Sequence, residues 1–215
     1  MRLGITTSMT RTAELLRRLS KGGILVPNHI KKALLEIDIA DFTDYDVEPF
    51  YADRPVPYIE SKSGNVKTIS APHMIITLLH HMELSSSQEI IIIGCKGGYL
   101  SALIAKIVGE KGRVSVLDPS LEVVNHAKER LSHWPTIDIR NTESIDVAPI
   151  AFPGEFNRVL ITGQIESIPE WISSRIIDGG FLIAPLGDID SQNLMKIEYQ
   201  EGIKLETDLG EVCFG

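Results

Sequence analysis

The chain lacks the features that mark secreted and membrane-spanning proteins. Two cysteines, Cys95 and Cys213, in 215 residues are too few to suggest a disulfide framework. The N-terminus has neither the apolar core nor the cleavage pattern of a signal peptide, and no apolar run is long enough to cross a bilayer. We therefore expect a cytoplasmic protein with no membrane partner.

An excess of positive charge is missing as well. The sequence has 21 Lys and Arg against 29 Asp and Glu, which gives a net charge of −8 at pH 7. Because nucleic-acid affinity depends on clustered Lys and Arg, this balance argues against a broad phosphate-binding surface. Four basic residues fall within residues 11–21, where they fit the solvated face of an amphipathic helix better than a binding patch. With 43% hydrophobic residues, the chain can still bury the core of one folded domain.

The first third of the sequence predicts helices and then a polar, irregular stretch. Leucines at helical spacing over residues 10–21 and an apolar stripe over residues 26–36 predict two helices. Residues 40–67 are rich in Asp, Pro, Tyr, Gly and Ser, and we expect them to be irregular, with a turn at residues 61–64. A further helix is predicted at residues 72–82.

From residue 89 the pattern changes to strands alternating with helices. Residues 89–93 form a continuous apolar run, typical of a strand that is covered on both faces. The elements predicted after it are strands at 113–117, 136–139, 156–161 and 181–184 and helices at 99–108, 121–131 and 169–177, with a glycine turn at 179–180. Residues 194–214 predict two or three antiparallel strands at the sheet edge. The alternation predicts an α/β fold with a doubly wound, mostly parallel sheet of seven strands.

The first strand of this alternation ends in a glycine-rich turn at residues 94–98 (Gly-Cys-Lys-Gly-Gly). Ligands of open parallel sheets bind at the carboxyl ends of the strands, where the strand order reverses. Glycines let the backbone approach a ligand closely, and the helix N-terminus that follows attracts negative charge. Asp118 ends the next predicted strand, where a carboxylate can accept hydrogen bonds from ribose hydroxyls. The pattern predicts an adenosine-containing cofactor, with an ordinary tight turn and a helix-capping Asp as the alternative.

A short polar segment precedes the helix predicted at residues 72–82. Residues 68–74 (Thr-Ile-Ser-Ala-Pro-His-Met) offer the hydroxyls of Thr68 and Ser70 and the imidazole of His73. Their place ahead of a nucleotide-type fold predicts active-site groups, although Ser70 could equally cap the helix. No Cys or carboxylate stands at ligand spacing beside the histidines, so we predict no metal site.

Several motifs of the chain resemble those of the protein-L-isoaspartate O-methyltransferases, from about residue 10 to the end. Residues 51–57 (Tyr-Ala-Asp-Arg-Pro-Val-Pro) resemble the Tyr-x-Asp-x-Pro-x-Pro segment of that family, and residues 68–74 match its active-site stretch at every position. Weaker landmarks follow in order at residues 168–169, 178–180 and 185–187. We identify the chain as a divergent member of this family of class I S-adenosylmethionine-dependent methyltransferases.

The resemblance implies a Rossmann-like methyltransferase domain at residues 68–215, with residues 1–67 supplying N-terminal helices and a substrate-side loop. It implies S-adenosyl-L-methionine as the cofactor, S-adenosyl-L-homocysteine as the product and no metal. The reaction would methylate the carboxyl group of L-isoaspartyl or D-aspartyl residues in damaged proteins, and the ester would cyclise to a succinimide as a step of protein repair. Damaged proteins or peptides would be the partners.

The resemblance also assigns roles to individual residues. Ser70 takes the place of the active-site serine. The cofactor-binding positions are Thr68, Ile69, Gly94, Cys95, Lys96, Gly97, Gly98, Asp118 and Thr142. The substrate-binding positions are Asp53, Pro55, Val56 and His73. From the sequence itself we expect Cys95 to be a small buried packing residue rather than a nucleophile, because Lys96 is the one nearby group that would lower its pKa.

Departures from the family pattern cluster on the cofactor side. Ile92 stands where the family has an acidic residue, and Lys96 replaces the middle loop glycine. The family's Gly-Asp-Gly appears as Asn-Thr-Glu at residues 141–143, and its small-residue run as Thr-Gly-Gln at residues 162–164. Lys96 could pair with the carboxylate of the cofactor or could be solvated. These departures support one alternative, a non-catalytic or altered-cofactor relative that binds protein without methylating it. A third interpretation is a methyltransferase for a small molecule or RNA, and the acidic charge argues against RNA.

Overall fold

The N-terminal part of the molecule is helical. A computed structural model describes residues 2–60, 64–149, 152 and 154–214. It places α1 at Arg2–Lys21, α2 at Asn28–Glu36, a short 3₁₀ helix at Ile39–Phe42 and α3 at Glu48–Tyr51. Both predicted N-terminal helices are present, and the first begins well before residue 10. The apolar stripes of α1 and α2 are buried in the core.

Residues 40–67 are more regular than their composition predicts, so the irregular assignment is wrong in part. They include an antiparallel hairpin of β1 (Val56–Glu60) and β2 (Val66–Ile69), in which Val56 lies opposite Ile69. The two prolines around Val56 weakened the strand signal, because proline cannot donate to a strand ladder. Burial of Val56 and Tyr58 on one face supplies the period of two that proline obscured. The predicted turn at residues 61–64 falls mostly outside the described residues.

The main sheet has seven strands in the order β5-β4-β3-β6-β7-β8-β9. The first five strands in chain order are mutually parallel, and β8 and β9 add the antiparallel edge. Their bounds are β3 (Glu89–Ile93), β4 (Arg113–Asp118), β5 (Ile137–Asn141), β6 (Phe156–Ile161), β7 (Ile176–Asp188), β8 (Ser191–Gln200) and β9 (Ile203–Val212). The predicted fold class is confirmed, and the strand order reverses between β3 and β6.

Four helices cover or connect the strands. They are α4 (Pro72–His81), α5 (Tyr99–Val108), α6 (Leu121–Arg130) and the single turn α7 (Glu170–Ser173). The helix predicted at residues 169–177 is therefore too long, and the predicted turn at Gly179 and Gly180 is wrong because β7 runs through both. Gly179 has φ +73°, and a Cβ at Gly180 would lie 2.7 Å from Ile176 Cγ2. The two glycines form an irregularity within β7, where its register with β6 shifts.

The core lies on both faces of the sheet. Along β3, Ile90 and Ile92 join the cluster formed with the N-terminal helices and the hairpin, whereas Ile91 and Ile93 join the cluster on the opposite face. This alternation explains why the strand reads as an unbroken apolar run. Across the described ranges, no helix has both the length and the apolar character needed to span a membrane. The predicted boundary between residues 67 and 68 falls inside β2, and the division into two units stays a prediction.

Candidate functional site

A cavity of about 450 Å³ opens at the carboxyl edge of the sheet, beside the reversal between β3 and β6. Its size suits a small-molecule ligand, and its place is the one that open α/β sheets use for binding. Five segments form the wall: the hairpin, the end of β3 with the glycine turn, the end of β4, the loop after β5, and the end of β6 with the residues that follow it. The lining residues are Tyr58, Val66, Lys67, Thr68, Ile93, Gly94, Lys96, Asp118, Pro119, Ile145, Ile161, Thr162, Gly163, Gln164 and Ile165.

Gly94 begins the turn in a conformation that excludes a side chain. Its φ is +100°, and a Cβ built on it would lie 2.1 Å from Thr162 Oγ1. The N–H of Thr162 donates to the carbonyl oxygen of Ile93 at 2.9 Å. Its hydroxyl lies 3.1 Å from that same oxygen and 3.0 Å from the carbonyl oxygen of Gly94. Thr162 therefore joins the end of β6 to the end of β3 and to the glycine turn. Position 94 requires glycine because a side chain there would collide with Thr162.

The hairpin packs directly on the rest of the turn. At Gly97, a Cβ would lie 3.0 Å from Tyr58 Cγ and 3.1 Å from Ile69 Cγ1, and its φ is +73°. Ile69 and Tyr58 are both buried. Because Gly97 has no side chain, the hairpin can pack closely on the glycine turn. This close packing brings Thr68 to the cavity that Gly94 also lines.

Asp118 joins the glycine turn to the start of α6. Its Oδ2 accepts a hydrogen bond from the N–H of Cys95 at 2.9 Å, and its Oδ1 accepts one from the N–H of Ser120 at 2.9 Å. The side chain is buried in the wall of the cavity. The thiol of Cys95 also hydrogen-bonds to this carboxylate, so about one of its four acceptor positions is left for a ligand hydroxyl. Asp118 can hold the turn and bind a ribose at once.

The serine of the polar segment before α4 does not cap that helix. The N-cap residue of α4 is Ala71, whose side chain makes no capping hydrogen bond. Ser70 is half-buried and stands between the cavity-lining Thr68 and this cap, although its own side chain is not part of the lining. The structure therefore gives the Ser70 hydroxyl no capping role.

Asp53 and His73 form a pair that ties the loop before β1 to the first turn of α4. Asp53 Oδ1 accepts from the His73 backbone N–H at 2.9 Å, and both carboxylate oxygens lie 3.0 Å from His73 Nδ1. A carboxylate at a helix N-terminus is favourable because it faces the positive end of the helix dipole. The pair borders a separate depression beside α1. Val56 lies in the core and Pro55 is exposed, so none of the predicted substrate residues lines the main cavity.

The other predicted cofactor residues divide between the cavity wall and the layer behind it. Thr68, Gly94, Lys96 and Asp118 line the cavity. Buried behind them are Ile69, Cys95, Gly97 and Gly98. Thr142 follows β5 outside the lining, where its hydroxyl donates to the Ser144 carbonyl oxygen at 2.7 Å. Within the described parts of the chain, no group of three or more His, Cys, Asp or Glu residues could hold a metal ion.

The two cysteines should differ sharply in reactivity. Burial, followed by the charge and hydrogen bond of Asp118, raises the pKa of the Cys95 thiol well above its ordinary value, and Cys95 is 1% exposed. Cys213 is exposed. Because the thiolate is the reactive form, we expect a maleimide to label Cys213 rapidly at pH 7 and Cys95 only in denaturant. Mass spectrometry of Cys213→Ser would check this, and rapid labelling of that folded variant would contradict it.

Several lining residues were missed from the sequence. Thr162 and Gln164 stood out there only as departures from a family pattern, yet they follow the strand next to the reversal, where ligands bind. Gln164 Nε2 donates to the Gly187 carbonyl oxygen at 2.6 Å and links this segment to β7. Tyr58 and Lys67 had no such signal, because the hairpin that carries them was read as irregular.

Comparisons with known proteins identify a family for the chain. The family model of protein-L-isoaspartate(D-aspartate) O-methyltransferase matches residues 10–214. A protein-L-isoaspartate O-methyltransferase of Pyrobaculum islandicum is 28% identical over 196 residues, covering 89% of this chain and 91% of the relative. One from Methanococcus maripaludis is 27% identical over 199 residues, covering 90% and 91%.

Solved structures give the same fold. A structure named protein-L-isoaspartate O-methyltransferase superposes with a TM-score of 0.83 at 22% identity, covering 94% of this chain and 64% of its own. A Plasmodium falciparum structure described as such an enzyme in complex with S-adenosyl-L-homocysteine has a TM-score of 0.79 at 24% identity, covering 94% and 95%. At these identities the two structures show the fold alone, whereas the family model covers almost all of the chain. The chain belongs to the protein-L-isoaspartate(D-aspartate) O-methyltransferase family, a family of methyltransferases.

Proposed function

We propose that this chain methylates the free carboxylate of L-isoaspartyl or D-aspartyl residues in damaged proteins, with S-adenosyl-L-methionine as methyl donor. One observation carries the proposal. The hairpin packs on Gly97 and so places the start of the 68–74 segment on the wall of the cavity that holds Gly94 and Asp118. Thr68, the first residue of that motif, therefore lies on the predicted donor cavity, and Ser70 follows two residues later. The family match and the relatives named above support the same activity.

The cavity residues fit the proposed cofactor. Asp118 keeps an acceptor position for a ribose hydroxyl, and the bare backbone at Gly94 allows close approach. Pro119 and Ile145 offer an apolar wall beside Asp118, which suits a flat base. The methyl group arrives on a positively charged sulfur of this cofactor, which makes it electrophilic.

The work left to the protein is positioning rather than proton transfer. A carboxylic acid with a pKa of about 4 is already ionised at neutral pH, so its oxygen needs no general base. The chain must hold that oxygen in line with the methyl group and keep water out. Ser70 would donate a hydrogen bond to the other carboxylate oxygen, an uncharged contact that orients the acceptor. Asp53 would act as a positioning residue, since it holds the first turn of α4 through His73.

Methyl transfer from labelled S-adenosylmethionine to an isoaspartyl peptide tests the proposal, with the matching aspartyl peptide as substrate control. We expect Ser70→Ala to lower kcat by about 10- to 100-fold, since a hydrogen bond to a charged group is worth about 1.5–3 kcal/mol. Ser86→Ala, an exposed serine in the turn before β3, is the matched control and should keep full activity. If the wild-type chain transfers no methyl group to any isoaspartyl peptide at saturating cofactor, the proposal fails.

A second candidate is a relative that binds damaged protein without methylating it. Lys96 favours it, because a lysine with φ +43° stands in the turn where the resembled family has a glycine. Calorimetric titration with S-adenosyl-L-homocysteine separates the two candidates. Binding at micromolar affinity argues for the methyltransferase, and absence of binding argues for the non-catalytic relative.

A further inference from the structure

The sequence contains one Asp-Gly pair, at Asp178 and Gly179, and no Asn-Gly pair. In such a pair the backbone nitrogen of glycine can attack the side-chain carboxyl carbon of aspartate, because glycine has no side chain to hinder the approach. The attack closes a five-membered succinimide ring, which water opens to aspartate or to isoaspartate. The pair is therefore the place where this chain is most open to the damage on which the proposed reaction acts.

The structure leaves the pair outside the regular pairing of β7. The register of β7 with β6 shifts between Ile176 and Phe181, and its register with β8 begins at Gly180. Asp178 and Gly179 lie in the irregular stretch between, and both are exposed. Gly179 has φ +73°, and no described residue beyond its chain neighbours lies within 4 Å of a Cβ built on it. The backbone around the pair therefore has room to close the ring.

The carboxylate of Asp178 is fastened to the turn between β8 and β9. Its Oδ1 accepts a hydrogen bond from the backbone N–H of Glu201 at 2.6 Å, at an exposed position. Glu201 has φ +52° and Gly202 has φ +76°, so the turn is tight. Ring closure must break this hydrogen bond. Isoaspartate cannot remake it in the same place, because its free carboxylate is attached directly to Cα and is one methylene shorter.

Asp178 lies at the opposite edge of the sheet from the cavity. β7 runs parallel to β6 and begins beside Phe156, at the start of β6, whereas the cavity opens at Ile161 and Thr162, at the end of β6. At about 3.3 Å for each residue, the length of β6 separates the two edges by roughly 16 Å. A damaged Asp178 therefore cannot enter the cavity of its own chain, but it can enter that of a second copy.

We propose that Asp178 is a site of spontaneous isoaspartate formation and that a second copy of this chain methylates the damaged residue. The role of the second copy rests on the proposed function, whereas the damage itself does not. In the first step a bond forms between the Gly179 nitrogen and Asp178 Cγ. One carboxyl oxygen leaves as water, with the proton of the nitrogen and one proton from solvent.

Water then opens the ring at the carbonyl carbon that came from the Asp178 backbone. The bond from that carbon to nitrogen breaks, the nitrogen regains a proton from the water, and the new α-carboxyl group releases its proton to solvent. In the transfer step, an oxygen of this carboxylate bonds to the methyl carbon. The bond from sulfur to methyl breaks, which leaves neutral S-adenosyl-L-homocysteine. Attack by the Gly179 nitrogen on the ester then releases methanol and restores the succinimide.

Ageing the full-length protein in water enriched in heavy oxygen tests the damage by itself. After digestion in ordinary water, mass spectrometry should find heavy oxygen and isoaspartate at Asp178 in the tryptic peptide of residues 176–196. Asp178→Glu should lose both signals, because its ring would need six members. Asp208→Glu changes an exposed carboxylate that precedes Leu209 on β9, and this matched control should keep both signals at Asp178.

Methyl transfer between two preparations of the chain tests the second copy. The acceptor is aged Ser70→Ala protein, whose own activity is lowered, and the enzyme is fresh Asp178→Glu protein, which has no Asp-Gly pair. Label from S-adenosylmethionine should enter the aged acceptor at a rate that rises with the enzyme concentration. It should be lost when the aged acceptor also carries Asp178→Glu. An isoaspartyl peptide, assayed in parallel, measures the activity of the fresh enzyme.

Three outcomes overturn the proposal in whole or in part. Aged protein without isoaspartate at Asp178, or with isoaspartate at Asp190 instead, refutes the modification site. Isoaspartate at Asp178 that remains unmethylated by a fresh enzyme active on the peptide refutes the second copy as substrate and leaves the proposed function standing. A fresh wild-type protein that methylates no isoaspartyl peptide refutes the proposed function, and the role of the second copy falls with it.

Discussion

Gly94→Ala is expected to abolish measurable binding of S-adenosyl-L-homocysteine while the protein stays folded. The added Cβ would lie 2.1 Å from Thr162 Oγ1, so Thr162 must move and give up its contacts to Ile93 and Gly94. A φ of +100° adds a backbone cost of about 1–3 kcal/mol for any residue with a side chain. Together, the clash and the strained backbone displace the turn. We expect them to lower the affinity for S-adenosyl-L-homocysteine by at least about 100-fold. Calorimetry and thermal unfolding measure the two effects.

Three control variants separate the causes. Gly163→Ala adds a methyl group on the same cavity wall, where nothing lies within 4 Å, and should change the affinity by no more than about twofold. Gly109→Ala places alanine at φ +74° in open space away from the cavity, so it reports the backbone cost alone. Gly94→Ala combined with Thr162→Ala removes the clashing oxygen and should recover part of the affinity. Wild-type affinity in Gly94→Ala would contradict the role given to this turn.

Asp118→Ala is expected to have the second largest effect, on both the fold and the ligand. Its removal leaves the N–H groups of Cys95 and Ser120 without their acceptor, at a cost of about 1–3 kcal/mol for the buried N–H of Cys95 and less for that of the half-buried Ser120. It also removes the proposed ribose acceptor. We expect a clear fall in the thermal midpoint and at least a 100-fold loss of S-adenosyl-L-homocysteine affinity, on the order of 3 kcal/mol.

The matched variants at this position divide the two roles. Asp118→Asn keeps one acceptor oxygen but turns an amide N–H₂ toward one of the two backbone donors, so its stability should lie between those of wild type and Asp118→Ala. Faster maleimide labelling of Cys95 in Asp118→Ala would report the combined effect of a loosened turn and of the lower thiol pKa that follows when the charge of Asp118 is removed. Asp138→Ala, an exposed carboxylate on β5 paired with Arg140, should change little, because surface ion pairs contribute about 0–1 kcal/mol. Wild-type affinity and stability in Asp118→Ala would refute both roles.

The sequence predicted the elements whose pattern is local. The apolar run of β3 indicated a strand covered on both faces, and the structure divides its isoleucines between the two core clusters. The prediction failed where proline and glycine have more than one structural use. Pro55 and Pro57 favour a loop, although Pro57 lies within the hairpin strand β1, and Gly179 and Gly180 favour a turn, although they lie within β7.

The sequence predicted the glycine turn and Asp118 of the candidate site, but not the contacts made by residues distant in the chain. The glycine turn follows β3 and Asp118 ends β4, and the hydrophobicity of the sequence predicts both strands. Their place at the sheet edge follows from the alternation of strands and helices. The Thr162 contact to the carbonyl of Ile93 joins residues far apart in the chain, and no local pattern encodes it. The Asp53–His73 pair likewise depends on how the loop before β1 folds back onto α4.

Because the Ser70 hydroxyl has no part in capping α4, the folding of this segment and its proposed chemistry are separable. An alanine at this position would leave the helix start, the hairpin and the match to the family model intact. Natural variants at Ser70 would thus pass an expression or thermostability screen as harmless, and structural superposition would rank them beside active relatives. Under the proposed role of Ser70, methyl-transfer kinetics would separate such variants from fully active relatives, whereas a comparison of folds would not.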